Sequence, residues 1–455
     1  MARDSNPSLP SRRNLVSQAF LNFLHTATSG GIVMLAATSV ALLIANSAAG
    51  DAYRDLWKVY GGIAVGDWSL RLSLGHWIND GLMAVFFFLV GLEIKRELLV
   101  GELASARRAA LPVVAAFGGA LVPALLFVAF NAGGPYLRGW GIPMATDIAF
   151  AVTLLALLGT RAPLWLKSFV TALAIADDIL AVLVIAFFYS ASLDGGALLW
   201  AGIVMGGLLV LNRSDVQHPA PYLVLTVLLW YFVLQSGVHA TIAGVAAAAF
   251  VPASRRAGPT PAARGQISRS MQALVDTLHD LPPDHEVWQE VDAREAALEE
   301  IADDAASSSA PLFRLEHAIQ PWSAFVVLPI FAFANAGVEI PFAGLGAALL
   351  HPLTLGIAIG LFVGKQVGIT LFAWLTVRSG IGELPEGAGW RQLWGGALLA
   401  GIGFTMSIFI ASLAFIDAAV LDMAKIGIIV GSLASAIVGI VVLRSVPAPA
   451  AGDGS

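Results

Sequence analysis

Long apolar stretches fill most of this 455-residue chain and limit what it can fold into. A helix needs about 20 apolar residues to cross a bilayer. Twelve stretches come near that length or exceed it, at 22–45, 76–98, 109–130, 136–159, 163–190, 196–212, 219–236, 238–251, 320–340, 353–377, 392–416 and 425–444. Charged residues make up only 12% of the chain, about half the share found in soluble domains. We therefore predict an all-α integral membrane protein with about 12 transmembrane helices.

The composition excludes several classes of function. A net charge of −6 argues against binding to nucleic acid, and the absence of Cys excludes disulfides and thiolate metal sites. Arg12 and Arg13 precede an apolar stretch, as in a twin-arginine export signal. Because that stretch is long enough to span and others follow it, we interpret the two arginines as residues that hold the N-terminus in the cytoplasm.

The distribution of basic residues predicts the orientation. With the N-terminus inside, 19 of the 25 Lys and Arg residues fall on the cytoplasmic side, five fall outside, and Lys365 lies within the tenth stretch. Such a bias is the usual signal of topology in membrane proteins. It predicts a cytoplasmic N-terminal tail at 1–21, spans one to eight within 22–251, spans nine to twelve within 317–444, and a cytoplasmic tail at 445–455.

Two segments outside the membrane have features of their own. Residues 61–72 alternate apolar and polar side chains around Gly66-Asp67, which predicts a small periplasmic β-hairpin. Residues 252–316 hold twelve Asp or Glu and six Arg, with an amphipathic stretch that is typical of an exposed helix. We interpret this acidic insert as a solvated cytoplasmic tether, with a regulatory domain as the alternative.

Four charged residues lie near the middle of predicted spans: Asp147, Asp177, Asp178 and Lys365. Each costs roughly 2.5–3.5 kcal/mol to insert, which favours a functional role. Three carboxylates against one ammonium would leave a net charge of −2, so a proton or a cation must neutralise at least one carboxylate. Adjacent side chains on a helix diverge by about 100°, which suggests that one of Asp177 and Asp178 faces a cation and the other faces Lys365.

Two of the predicted spans contain helix-breaking residues at mid-membrane. Gly139, Gly141 and Pro143 interrupt the fourth, and Gly401 and Gly403 interrupt the eleventh. Paired broken spans at the midplane are typical of transporters built from inverted repeats, here spans 3–5 and 10–12. The broken ends would carry partial charges, positive at N-termini and negative at C-termini, which the mid-membrane Asp and Lys side chains could offset.

The motifs GLEIKREL, ATDIAFA, ALAIADDILA, SGVHATIAG, LPIFAFANAGV, GKQVGI and GIGFTMSIFI together resemble the NhaA-type Na⁺/H⁺ antiporters. They run in order from the second span to the eleventh, so the resemblance covers nearly all of the chain outside the insert. It implies two broken helices that cross near the midplane. It also implies a homodimer formed through the periplasmic hairpin.

The resemblance implies roles for particular residues. Asp178 resembles the principal Na⁺/Li⁺ ligand, with Asp177 beside it as the partner of Lys365, while Asp147 and Thr146 lie at the crossing of the broken helices. A cytoplasmic funnel tied to pH activation is expected to contain Glu93, Arg96, Glu97, Glu316 and His317, and His239 is expected to tune the pH response. Gln320 stands where some members have a second His.

These features imply a secondary transporter of the bacterial inner membrane that exports Na⁺ or Li⁺ in exchange for H⁺ by alternating access. It would be pH-regulated and electrogenic, would serve pH homeostasis and salt tolerance, and would need no cofactor. One alternative is an intramembrane aspartyl protease, which would need Gly-x-Gly-Asp where this chain has Phe404. The other is a cation-coupled symporter of an organic anion, which would need a larger polar cavity.

Overall fold

Helices that are long and apolar enough to cross a membrane dominate the fold. The computed structural model describes residues 12–66, 68–190, 193–254, 310–341, 344–385 and 387–446. These residues include eight such helices, or up to ten if each of two bent helix pairs counts as one span. The protein is therefore a helical, multi-pass membrane protein, and the number of about 12 spans remains a prediction.

The described residues form 18 α-helices. In chain order they are α1 (Arg12–Ala45), α2 (Gly50–Leu56), α3 (Leu74–His76), α4 (Met83–Val100), α5 (Ala106–Asn131), α6 (Ile148–Leu157), α7 (Leu164–Phe188), α8 (Gly195–Arg213), α9 (Pro219–Gln235), α10 (Ile242–Ala248), α11 (Pro311–Trp322), α12 (Leu328–Asn335), α13 (Leu345–Leu350), α14 (Pro352–Ile359), α15 (Lys365–Arg378), α16 (Trp390–Ala400), α17 (Phe404–Ala414) and α18 (Ala418–Ser445). Short 3₁₀ segments lie at Glu102–Ala104, Leu137–Met144 and Gly159–Arg161.

Three of the membrane helices contain a widened π turn. The turns at Trp77–Leu82, Ser323–Val327 and Gly360–Gly364 join α3 to α4, α11 to α12 and α14 to α15, so that each pair forms one long helix. A π turn holds one residue more than an α turn and often marks a functional site. The third of these turns ends immediately before Lys365.

Several helices differ in length from the apolar stretches that predicted them. The stretches 219–236 and 238–251 become α9, with 17 residues, and α10, with only seven. Helix α11 begins at Pro311, because Pro suits the first helical position. Hydropathy predicted a start only at 320, because the polar residues that follow Pro311 lower the local hydropathy. Helix α18 begins at Ala418, where the Asp417 side chain accepts hydrogen bonds from the amides of the first turn.

The two-stranded sheet confirms the predicted hairpin. Strands β1 (Tyr60–Val65) and β2 (Trp68–Ser73) are antiparallel, with Ile63 opposite Leu70. Gly66 lies in the turn with a φ of 61°, a conformation that glycine adopts without strain. The hairpin is attached to the helices through Trp77, whose Nε1 donates to the carbonyl of Gly61 at 2.9 Å.

The helices form two groups. In the core group, α5 packs against α7, α14 and α15, and α18 packs against α14, α16 and α17. In the panel group, α1 packs against α12, α4 against α10 and α11, and α8 and α10 against α9. The main contacts between the groups are those of α1 with α6 and of α4 with α7. The charged mid-span residues lie in the core group, on α7, on α15 and beside α6.

The two ends of the predicted insert meet at one point. Residues 255–309, with most of the acidic segment predicted at 252–316, lie outside the described residues, as do residues 1–11 and 447–455 of the two tails. On either side of that segment, the amide of Leu312 donates to the carbonyl of Pro252 at 3.1 Å. Lys95 Nζ donates to the carbonyls of Ala249 and Val251 at 2.7 and 2.6 Å, which attaches this point to α4.

Candidate functional site

Two broken helices meet at the centre of the core group. The first break, at residues 145–147, separates a 3₁₀ segment from α6, and the second, at 401–403, separates α16 from α17 with a bend of 43°. The amide of Asp147 donates to the carbonyl of Ile402 at 2.7 Å. Interrupted backbone at membrane depth must find polar partners, and here each break supplies a partner to the other.

Small residues make this close approach possible. A Cβ on Gly403 would lie 2.9 Å from the carbonyl oxygen of Ala145 and 2.7 Å from the Leu361 side chain, so a larger residue would separate the breaks. Thr146 Oγ1 donates to the carbonyl of Ala400 at 2.8 Å and satisfies the last turn of α16. Both predicted breaks therefore lie at one contact.

Asp147 lies between the N-termini of two half-helices. Its Oδ1 accepts from the amide of Phe150 at 3.1 Å, in the first turn of α6. Its Oδ2 accepts from the amide of Thr405 at 3.0 Å and from the Thr405 hydroxyl, in the first turn of α17. Helix N-termini carry partial positive charge, so this buried carboxylate is held by neutral donors of both broken helices.

Asp177 and Lys365 form a buried ion pair between α7 and α15. Lys365 Nζ lies 2.6 Å from Asp177 Oδ2, and the two side chains are 0% and 1% exposed. Asp177 also lies near Thr146, but its Oδ1 is buried without a hydrogen bond of normal geometry. One oxygen of this carboxylate is therefore held by the ammonium and the other is available to a further partner.

Asp178 differs from its neighbour in having no compensating partner. It is 3% exposed and accepts no hydrogen bond from any residue that the structure describes. Asp177, Glu93 and Asp147 act on it as like charges, and Lys365 acts on it more weakly as the opposite charge. A carboxylate in this position is neutral, or else needs a cation beside it.

The arrangement suits a small monovalent cation that competes with protons. The unpaired Oδ1 of Asp177, the carboxylate of the adjacent Asp178 and the hydroxyl of Thr146, which lies near Asp177, are hard oxygen donors. Such donors bind alkali cations, and carboxylates are also proton acceptors. Among the described residues, no group of three or more His, Cys, Asp or Glu side chains has the geometry of a resident metal site.

A second charged cluster lies at the end of the molecule that carries the insert. Arg96 Nε on α4 is 2.9 Å from Glu316 Oε1 on α11, and Arg96 Nη2 is 4.0 Å from Glu97 Oε2. Glu97 Oε1 accepts from the amide of Glu102 at 2.7 Å. Glu93 lies one turn nearer the centre. Glu93 thus interacts electrostatically both with the cluster and with Asp178.

Two residues predicted to act in the pH response remain, His317 and His239, and they lie at opposite ends of the molecule. Gln320 and Glu93 line a mainly apolar cavity of about 60 Å³, whereas His317 is exposed one turn away. His239 lies between α9 and α10, beside the Tyr189 backbone and Arg138, at the end of the molecule that carries the hairpin. The structure therefore brings five of the six predicted residues to one end and places His239 at the other.

Sequence reasoning missed one residue that touches the site. Thr405 contacts Asp147 through both its amide and its hydroxyl, although the two residues are 258 positions apart in the chain. Ser407, two residues later, donates to the carbonyl of Ile142 at 2.8 Å, which adds a further hydrogen bond between the broken helices. The only signal of either residue in the sequence is its position just after Gly403, in the second predicted break.

Comparison with known proteins identifies the family. The family model described as Na⁺/H⁺ antiporter 1 matches residues 21–443. The Na⁺/H⁺ antiporter NhaA of Acidithiobacillus ferrooxidans is 49% identical over 94% of this chain and 97% of its own length. The protein of that name from Bordetella parapertussis is 47% identical over 97% of this chain and 99% of its own. Because both similarities extend over nearly the whole length, the chain belongs to the Na⁺/H⁺ antiporter 1 family.

Proposed function

We propose that this protein is a Na⁺/H⁺ antiporter whose exchange site is the group of buried charges at the crossing of the broken helices. The observation that carries the proposal is the difference between the two adjacent aspartates. Lys365 neutralises Asp177 at 2.6 Å, while Asp178 is also buried and has no ion-pair or hydrogen-bond partner among the described residues. The description of the matched family and the names of the relatives agree with this activity.

The mechanism follows from competition at Asp178. When protons are abundant, the carboxylate is neutral and does not attract a cation. When protons are scarce, the carboxylate is charged, and a Na⁺ or Li⁺ ion compensates it together with the free oxygen of Asp177 and the hydroxyl of Thr146. Because only one of the two occupants fits the charge at a time, exposure of the site to alternate sides of the membrane exchanges one ion for the other.

The second proton has two possible carriers. If the cation breaks the ion pair between Asp177 and Lys365, either Asp177 takes up a proton when the cation leaves, or Lys365 gives up its proton when the cation binds. In both versions two protons move against one Na⁺, so the exchange is electrogenic. The cluster of Glu93, Arg96 and Glu316 lies where it would control ion entry, which is our basis for proposing pH regulation there.

We place the protein in the bacterial inner membrane with both termini in the cytoplasm, on the basis of its basic residues. The exchange involves no chemical conversion and no cofactor, so we propose a transporter and no enzyme activity. Neither the matched family nor the relatives support an aspartyl protease or an organic-anion symporter.

The acidic insert is, in our proposal, a tether outside the transport machinery. Its two ends are already joined by the bond between Leu312 and Pro252. Deletion of 260–308 is therefore expected to leave Na⁺-driven proton movement in vesicles at the rate of the full chain, with a shift in pH dependence at most. A folded but inactive deletion variant would show that the insert takes part in transport.

Purified protein in lipid vesicles tests the proposed function. Vesicles with an acidic lumen and a pH-sensitive dye are expected to lose their proton gradient when NaCl or LiCl is added outside, and to keep it with KCl. The buffer contains no organic solute, so a response identifies ion exchange without a co-substrate. A response only in the presence of an organic anion would indicate the symporter instead, and no response to Na⁺ or Li⁺ would contradict the proposal.

A further inference from the structure

Lys365 owes its direction to the π turn that precedes it. Its amide donates to the carbonyl of Gly360, five residues earlier, where an α-helix would use the fourth. One extra residue rotates the side chains that follow by about 100° relative to a regular α-helix. The position of Lys365 Nζ, 2.6 Å from Asp177 Oδ2, therefore depends on the shape of this turn.

Packing fixes one side of the π turn. A Cβ on Gly360 would lie 2.7 Å from the Pro143 side chain, and one on Gly364 would lie 2.8 Å from the Cα of Pro123. On this side, the turn cannot move towards α5 or the first broken helix. Its other side needs a separate support, since widening a turn disrupts the regular hydrogen-bond ladder.

Gln366 and Trp394 provide that support through two hydrogen bonds. Gln366 Nε2 donates to the carbonyl of Phe362, inside the π turn, at 2.8 Å. Gln366 Oε1 accepts from Trp394 Nε1, on α16, at 2.6 Å. Gln366 is only 9% exposed, so the oxygen and the nitrogen of its side-chain amide both need hydrogen-bond partners.

The hydrogen bond between Trp394 and Gln366 links the turn before Lys365 to the broken helices. Helix α16, which carries Trp394, is the first half of the second broken helix and ends at Ala400, whose carbonyl accepts from Thr146. A continuous set of contacts thus runs from the crossing, through Trp394 and Gln366, to the turn that directs Lys365.

We propose that Gln366 and Trp394 are positioning residues that hold the π turn in the shape that directs Lys365 to Asp177. The inference rests on the proposed function for its consequence in transport, and on the geometry of the turn for its consequence in stability. A plain structural bond between α15 and α16 would stabilise the protein without any dependence on Lys365.

The test uses Trp394→Phe, which removes the indole N–H and keeps an aromatic ring, in two measurements. The first is the rate of Na⁺-driven proton movement in vesicles, expected to fall about 2- to 10-fold, the equivalent of one hydrogen bond. The second is a double-mutant cycle on the thermal unfolding midpoint of the purified full chain. We expect the double variant Trp394→Phe/Lys365→Gln to lower the unfolding midpoint by less than the sum of the two single decreases. This coupling is expected although Lys365 bonds to Asp177 and not to Trp394.

Matched variants make the result specific. Trp390→Phe makes the same change one turn earlier on α16 and is expected to leave both the rate and the additivity with Lys365→Gln unchanged. Gln366→Met removes both hydrogen bonds at similar volume and is expected to slow exchange more than Trp394→Phe does. Trp394→Phe alone still decides the question if Gln366→Met does not fold.

Two results would overturn the proposal: exchange at the parent rate in Trp394→Phe, or unfolding midpoints whose losses simply add. These results are distinct from a failure of the proposed function. If the parent protein shows no Na⁺-driven proton movement at all, the antiporter assignment fails, while the double-mutant cycle still reports whether Trp394 acts through Lys365.

Discussion

Single residues differ here in how their buried charge is compensated. Insertion of each charge costs roughly 2.5–3.5 kcal/mol, so each needs compensation. Neutral donors of two helix N-termini hold Asp147, and Lys365 holds Asp177. Asp178 alone among the three aspartates interacts mainly with like charges and has no hydrogen-bond donor among the described residues. We therefore expect its charge state to depend on the ion that occupies the proposed site.

Replacement of Asp178 by Asn tests this dependence. The amide keeps the size of the side chain and removes the charge, so we expect Na⁺- and Li⁺-driven proton movement to fall to the level of empty vesicles while the protein still elutes as a folded species. Asp55→Asn is the matched control, because Asp55 is exposed and pairs with Lys58 on the surface. Near-normal exchange by Asp178→Asn would remove Asp178 from the cation site.

The second proton can be assigned with two variants of the ion pair. If Lys365 and Asp178 carry the protons, neutral replacement of both Asp177 and Lys365 leaves at most an electroneutral exchange on Asp178. If Asp177 and Asp178 carry them, Lys365→Gln alone lowers stability, since it leaves Asp177 buried without its partner, yet keeps net charge movement. Currents on solid-supported membranes measure that movement. Strong currents from the double variant would contradict both versions.

The mid-membrane charges could be predicted from the sequence because they interrupt apolar stretches. The residues alone said less about which aspartate pairs with Lys365, since Asp177 and Asp178 are adjacent and differ only in the direction in which each side chain leaves the helix. The contact of Thr405 with Asp147 was not predictable at all. Threonine is common in membrane helices, and only the crossing of two breaks far apart in the chain brings it to a carboxylate.

At the scale of elements, hydropathy predicted where helices lie better than where they begin. It placed the start of the twelfth span at 425, whereas α18 begins at Ala418 because Asp417 caps it. It also treated 238–251 as a span, whereas α10 has seven residues. The SGVHATIAG motif explains that short helix, since Gly237 turns with a φ of 81° and a Cβ on Gly244 would lie 2.7 Å from the amide nitrogen of Phe88.

The hairpin is the element for which we predict a role in assembly. Strand β1 carries exposed Tyr60 and Ile63, and a two-stranded sheet leaves unpaired backbone at its edges. We propose that the same edge of a second copy pairs with it. Deletion of 61–72 is expected to give monomers that still exchange Na⁺ for H⁺, measured on native gels and in vesicles. Unchanged dimers on the gels would show that the main contact lies elsewhere.

At the scale of the whole molecule, the two groups of helices suggest which parts move. All four buried mid-membrane charges lie in the core group, while most of the charged cluster around Arg96 lies on α4 and α11 of the panel group. We propose that alternating access corresponds to a displacement of one group against the other, with the broken helices carried inside the core. Glycine-mediated contacts within the core favour its movement as a unit, because they leave little room for sliding.

A cross-link between the groups tests this displacement at the end of the molecule that carries the hairpin. Arg54 lies on α2, which packs against α1 of the panel group, and it interacts electrostatically with Asp422 on α18 of the core group. Arg54 Nη1 also lies 3.1 Å from Glu339 Oε2, in the segment after α12 of the panel group. Because the chain contains no Cys, introduced pairs would be its only thiols. We expect a cleavable bifunctional reagent to stop exchange by the Arg54→Cys/Asp422→Cys protein, since the link joins groups that must separate. Reduction of the reagent is expected to restore exchange.

The Arg54→Cys/Glu339→Cys protein, linked within the panel group, is the control and is expected to keep exchanging Na⁺ for H⁺ in vesicles. Full activity of the completely cross-linked first pair would mean that the two groups do not move apart at this position.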